Sequence, residues 1–114
     1  MKTKYLSLAA GLLLLCWMSA CSARRGVPYT EPLQTEAEEV VQGRMLYDRY
    51  CNSCHPGGAS GLGPALNNKP LPGFLVRFQI RKGIGVMPAF SDEVISDKEA
   101  KMIVAYMKAL RRLD

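Results

Sequence analysis

The 114-residue chain contains a single histidine, His55, and four cysteines, at positions 16, 21, 51 and 54. A zinc site is built from four ligands. Cys51 and Cys54 have one histidine beside them and no second pair to complete such a site. No stretch alternates apolar and polar residues for long enough to make a strand, and no segment repeats another, which leaves a helical chain. The formal charge is +5, with Lys2 and Lys4 in the leading segment. There is no basic tract and no interleaving of aromatic with basic residues, so no nucleic-acid partner is expected. The long apolar run, Leu6 to Trp17, is too short to span a bilayer comfortably.

That run follows Lys2 and Lys4 and is read as a secretory signal covering residues 1–20. It ends in MSAC, Met18 to Cys21, where small residues precede a cysteine as in the lipobox of bacterial lipoproteins. Met18 stands where that pattern usually has leucine. Lipidation of Cys21 is the favoured reading, because an unmodified Cys21 would be an unpaired thiol in an exported protein. Ordinary cleavage after Ala20 and a retained anchor helix are the alternatives. Residues 21–35 carry Gly26, Pro28 and Pro32 without periodicity and read as a flexible tether.

The domain proper is expected over 36–114. Glu36, Glu38 and Glu39 suit the positive end of a helix dipole, with Thr35 as a candidate cap. Val40, Gly43, Tyr47 and Tyr50 recur at helical spacing up to Cys51. A loop rich in glycine and proline, Pro56 to Gly73, leads to a short amphipathic segment, Phe74 to Lys82. There Arg77, Arg81 and Lys82 are expected on a solvated face, with propionate pairing or docking as their functional alternatives. SDKE, Ser96 to Glu99, is a capping box that opens a final helix running to about Arg112. Three or four short helices around so long a loop bury little by themselves. A large apolar cofactor at the centre would resolve both problems.

CNSCH, Cys51 to His55, names that cofactor. A redox CxxC normally opens a helix, where the dipole lowers the thiol pKa; this one ends a helix. A disulfide across two intervening residues closes a tiny loop and stabilises little. Haem attachment needs two sulfurs one helical turn apart and an imidazole directly after them, and CxxCH supplies all three. The reading is therefore one covalent haem c, with Cys51 and Cys54 as attachment points and His55 as an iron ligand. With no second histidine, a bis-histidine haem within the chain is excluded. Methionine is then the expected second ligand. Met45, Met102 and Met107 fall in helical patterns and are expected to pack in the core. Met87 lies on a glycine-flanked turn before Pro88, where the backbone can approach a ring closely.

CNSCH, GLGPAL (Gly61 to Leu66), GVMPAF (Gly85 to Phe90), Gly43, Tyr47 and Tyr106 together resemble the small class I c-type cytochromes over about Glu39 to Leu113. The resemblance implies an all-α fold of three to four short helices wrapped around one covalent haem. It implies a close crossing of first and last helices at Gly43, Tyr47 and Tyr106. It also implies that the Pro64 carbonyl accepts the ring N–H of His55, which raises the ligand's basicity. Pro56 departs from the pattern, which usually has glycine after the histidine. The expected function is one-electron transfer in the bacterial cell envelope, with redox partner proteins, a lipid anchor in a membrane and no small-molecule substrate. A haem subunit of a membrane-bound dehydrogenase or oxidase is the alternative. A haem-based sensor or peroxidase-like enzyme is less favoured, since no distal acid–base pair can be assigned.

Overall fold

A computed structural model describes Tyr5 and residues 26–35 and 37–112 of the chain. Cys21, Glu36 and all of the expected signal except Tyr5 lie outside the described residues. Three α-helices follow in order: α1, Glu38–Tyr50; α2, Gly73–Lys82; and α3, Asp97–Leu110. A 3₁₀ turn, Pro56–Gly58, sits between α1 and α2. No strand forms among the described residues, so the fold is all-α.

Each helix starts and stops for a local reason. α1 has Glu38 and Glu39 in its first turn and Arg49 in its last, both complementing the helix dipole. The expected Thr35 cap does not form. Thr35 Oγ1 accepts instead from Ala37 N at 3.2 Å, two residues on, and the helix begins at Glu38 with no side-chain cap. This is the local turn that Ser and Thr offer in competition with a cap. In α3 the capping box is complete. Ser96 Oγ accepts from Glu99 N at 3.3 Å, and Ser96 N donates to Glu99 Oε2 at 2.7 Å. Those bonds favour the ionised carboxyl and lower the Glu99 pKa. α3 ends at Leu110, slightly before the expected Arg112; Arg111 then donates from Nε to the Met107 carbonyl at 3.1 Å. α2 stops at Gly83, whose φ of +62° turns the chain out of the helix.

The core is the crossing of α1 and α3. A Cβ on Gly43 would overlap the Met102 carbonyl oxygen, so only a residue without a side chain lets the two backbones come this close. One turn further along each helix, the Tyr47 and Tyr106 rings meet at 5.2 Å between centroids and 56° between planes. Both tyrosines are buried, and Ile103, Met107 and Leu110 of α3 extend the same cluster. α2 closes it with Val76 and Ile80.

The stretch expected as a free tether is partly docked. Tyr29 N donates to the Gly57 carbonyl at 3.0 Å, and Asn67 Nδ2 donates to the Val27 carbonyl at 2.7 Å. Tyr29 and Leu33 pack against the core cluster. Asn67 is 5% exposed, and this buried amide is what draws the segment in. From Gly26 to Leu33 the chain is thus a strap on the loop after α1.

Gly43→Ala tests the crossing. The better helix propensity of alanine contributes at most about 1 kcal/mol. Forcing two backbones apart costs typically about 1–3 kcal/mol. The variant should unfold at a lower urea midpoint than the parent, whereas Met45→Ala on the exposed side of α1 should not.

Candidate haem site

CNSCH continues the turn of α1. Cys51 N donates to Tyr47 O at 2.8 Å, His55 N to Cys51 O at 2.9 Å and Cys54 N to Cys51 O at 3.1 Å. The two sulfurs therefore belong to one helical turn, with the imidazole next in line. Both thiols are free. Burial, with a smaller contribution from the neighbouring Cys54, pushes the Cys51 thiol up to about 12. A redox-active or nucleophilic cysteine works as the thiolate; Cys51 is held as the thiol instead. Among the described residues, no three His, Cys, Asp or Glu side chains gather as a metal cluster.

His55 is fixed from two sides. Its ring Nδ1 lies 2.8 Å from the Pro64 carbonyl oxygen. A carbonyl only accepts, so Nδ1 carries the proton and Nε2 keeps its lone pair for a metal. The backbone carbonyl of His55 accepts from the Tyr47 hydroxyl at 2.7 Å. Burial raises the Tyr47 pKa far above its ordinary value, so the hydroxyl remains a donor. A Cβ on Gly63 would overlap the imidazole, so glycine is what lets the GLGPAL segment cross the ring face. The histidine is 7% exposed. Pro56 is accommodated as the first residue of the 3₁₀ turn, with Gly57 and Gly58 at positive φ completing it.

Beside His55 opens a cavity of about 430 Å³. Cys51, His55 and Pro64 lie on its wall, as do Leu66, Ile80, Met87 and Ile103. Met87 comes from the turn after α2, where Met87 N donates to Ile84 O at 3.0 Å. Cys51, His55, Pro64 and Met87 are far apart in the chain, and the fold brings them to one apolar cavity. Of the remaining methionines, Met45 is 62% exposed, which corrects the expectation that it packs in the core. Met102 is half-buried, and Met107 is buried and also lines the cavity.

Some cavity residues were not foreseen. Gln79 is a polar side chain on the wall, and its Nε2 lies 4.0 Å from Met87 Sδ. Its place three residues after Val76 on the inward side of α2 was the available signal. Arg81 was expected on a solvated face. It instead reaches the carbonyls of Phe90 and Ile95 and the carboxylates of Asp92 and Asp97.

The residues fit a haem bound through cysteine thioethers. An imidazole nitrogen and a thioether sulfur are donors that haem iron takes. Cys51 lines the apolar cavity, and Cys54 follows on the same turn. Comparison with known proteins agrees. The model of the family described as cytochrome C oxidase, cbb3-type, subunit III matches residues 38–107. The chain belongs to this family of c-type cytochromes. It is 32% identical over 68 residues to the 4-cresol dehydrogenase [hydroxylating] cytochrome c subunit of Pseudomonas putida, covering 60% of this chain and 59% of that subunit. It is 33% identical over 75 residues to cytochrome c6 of Bryopsis maxima, covering 57% of this chain and 84% of that protein. No solved structure matches. Family membership makes residues 38–107 a cytochrome c domain, which implies haem c and electron transfer.

Tyr47→Phe probes the support of the histidine. It leaves the buried His55 carbonyl without its donor, at a cost of about 1–3 kcal/mol. The urea midpoint should fall accordingly. Tyr106→Phe should fall less, because its hydroxyl makes no hydrogen bond among the described residues.

Proposed function

We propose that the chain carries one electron at a time on a single haem c, attached through Cys51 and Cys54 and ligated by His55 and Met87. The observation that supports this most directly is that Cys51, His55 and Met87 line one apolar cavity, with Cys54 on the same turn as Cys51 and the His55 Nδ1 proton committed to Pro64. When bound, the haem supplies an iron that changes oxidation state by one electron. The protein's part is to orient and to exclude. The hydrogen bond from Nδ1–H to Pro64 O fixes the tautomer and makes Nε2 the more basic donor. A methionine ligand favours the reduced state and raises the potential. His55 and Met87 would together hold the iron, and neither would be free to act on a substrate. The apolar wall of Leu66, Val76, Ile80 and Ile103 keeps water from the site.

The setting belongs to the same proposal. Residues 1–20 are a lipoprotein-type signal, Cys21 is the lipidated first residue of the exported protein, and 36–114 is the haem domain. The carrier then works in the bacterial cell envelope, held near redox partner proteins at a membrane. No helix among the described residues is long and apolar enough to cross a membrane. A second reading is a fixed haem subunit of a dehydrogenase or oxidase. It draws on the relative that is named as the cytochrome c subunit of a dehydrogenase. A stable complex with a dehydrogenase after purification from the native membrane would favour it, and a monomeric carrier would favour the first.

Haem attachment is tested by acid–acetone extraction, which should leave the haem on the protein; extraction of the haem would refute covalent attachment. Met87→Ala should lower the reduction potential and let the reduced protein bind carbon monoxide. Met45→Ala should do neither.

Cys21→Ala should release a soluble protein that is still red and still redox-active. One acyl chain binds a bilayer only marginally, so stable anchoring requires the several chains of a bacterial lipoprotein. If the red variant stays with the membrane after a salt wash, the lipid anchor is refuted.

A further inference from the structure

The turn that carries Met87 has little packing of its own. Ile84, Gly85, Val86, Pro88 and Ala89 are all exposed, and Met87 itself is only half-buried. Its position is therefore set by what holds its two ends. The first end is Gly83, where α2 stops and Gly83 N donates to Gln79 O at 2.8 Å. The second end is the segment 90–97, and there one side chain gathers most of the bonds.

Arg81, in the last turn of α2, donates from one terminal nitrogen to the Ile95 carbonyl at 2.6 Å, the Phe90 carbonyl at 3.2 Å and the Ser91 carbonyl at 3.4 Å. Its other terminal nitrogen meets Asp97 Oδ1 at 2.9 Å and Asp92 Oδ1 at 3.0 Å. One guanidinium thus ties together the end of α2, the return of the methionine turn and the first residue of α3. The two aspartates are 72% and 79% exposed, so those ion pairs are individually weak. The carbonyl bonds come from a guanidinium side chain only 24% exposed; the Ser91 carbonyl also accepts from Val94 N and Ile95 N, so the bonds to the Phe90 and Ile95 carbonyls are the ones that depend on Arg81. Only a planar fork reaches both sets at once; an ammonium is a point donor on a flexible stem. Two further contacts assist: Phe90 N donates to Ile80 O at 2.9 Å, and the Phe90 ring meets Tyr50 edge-on at 5.9 Å.

We infer that Arg81 is a positioning residue for the methionine ligand: it latches the 90–97 segment to α2 and so holds Met87 in place on the iron. The inference rests on the proposed ligation by Met87. Without the latch, the turn from Gly83 to Phe90 can swing away while the core of α1 and α3 stays folded. Such a local opening lies at the low-stability end of the protein's motions. Each opening frees the iron position that Met87 fills.

The test uses the purified haem-bearing protein and the variants Arg81→Gln, Arg81→Lys, the double variant Asp92→Asn/Asp97→Asn, and Met87→Ala. Three quantities are read on each: the red charge-transfer absorption of thioether-ligated ferric haem, the reduction potential, and the rate at which cyanide binds the ferric iron. Loss of charged hydrogen bonds to the segment should raise the cyanide rate of Arg81→Gln roughly tenfold or more. Its potential should fall toward that of Met87→Ala. Arg81→Lys should restore part of both, and the double aspartate variant should shift both in the same direction by less. If Met87→Ala keeps the charge-transfer absorption, the ligand assignment fails, whatever Arg81 does. If Met87→Ala loses it while Arg81→Gln keeps the parent's cyanide rate and potential, the latch is overturned, even where the urea midpoint drops. Should Arg81→Gln not be recovered with haem, an unchanged cyanide rate in the double aspartate variant overturns it equally.

Discussion

The approach of α1 to α3 at Gly43 governs the rest of the molecule. It is a backbone-to-backbone contact against the Met102 carbonyl, so it fixes the relative placement of the two helices more tightly than side-chain packing alone would. The consequences run outward along α1. One turn later Tyr47 is pressed against Tyr106, and its hydroxyl is delivered to the His55 carbonyl. Immediately after, the helix ends in the cysteine motif, which inherits the direction of α1. α3 meanwhile presents Ile103 and Met107 as the far wall of the cavity. The site is thus set by the crossing, although no residue of the crossing donates to a metal.

The two proposed iron ligands are held by different means. His55 is over-determined: its ring is bonded to Pro64, its backbone to Tyr47, and Gly63 leaves no room on one face. Met87 sits on an exposed turn whose geometry is imposed from its ends. This asymmetry suits the two donors. The histidine directly follows the two cysteines proposed for attachment and stays put. The thioether is a weaker donor whose retention would depend on the segment behind it, and the proposed latch at Arg81 is where that dependence would be concentrated.

Much of this was legible in the sequence, for identifiable reasons. CNSCH carries its own spacing, SDKE its own reciprocal bonds, and Met87 its glycine and proline context. Each of these signals is local. What the sequence did not disclose is non-local. Arg81 looked like one more cation on a short helix, because its carbonyl partners lie nine to fourteen residues on. The buried Asn67 that captures Val27 acts across 40 residues, and a segment with two prolines looked like a free tether for that reason. Met45 fell in a helical pattern but faces outward, because Gly43 and Tyr47 fix which side of α1 meets α3. The Thr35 cap failed through a competing local bond two residues away, a choice that composition cannot settle.

The cavity wall has a further consequence for how folding and cofactor belong together. Leu62, Ile84 and Val86 line the cavity and are 79%, 70% and 89% exposed, with no segment among the described residues laid over them. Full burial of a large aliphatic side chain contributes about 1.5–3 kcal/mol. Covering three of them would therefore add several kcal/mol to a domain whose whole stability is expected at about 5–15 kcal/mol. The core of α1 and α3 is small, and a domain of this size is marginal without such help. A flat apolar ring that covers these side chains completes the core as well as supplying the iron. A group bound by packing alone would leave whenever the weakly held Met87 turn opened. The proposed attachment through two cysteines at the end of α1 would remove that route, because the side of the site that anchors the ring is the side that the Gly43 crossing and Tyr47 hold closed.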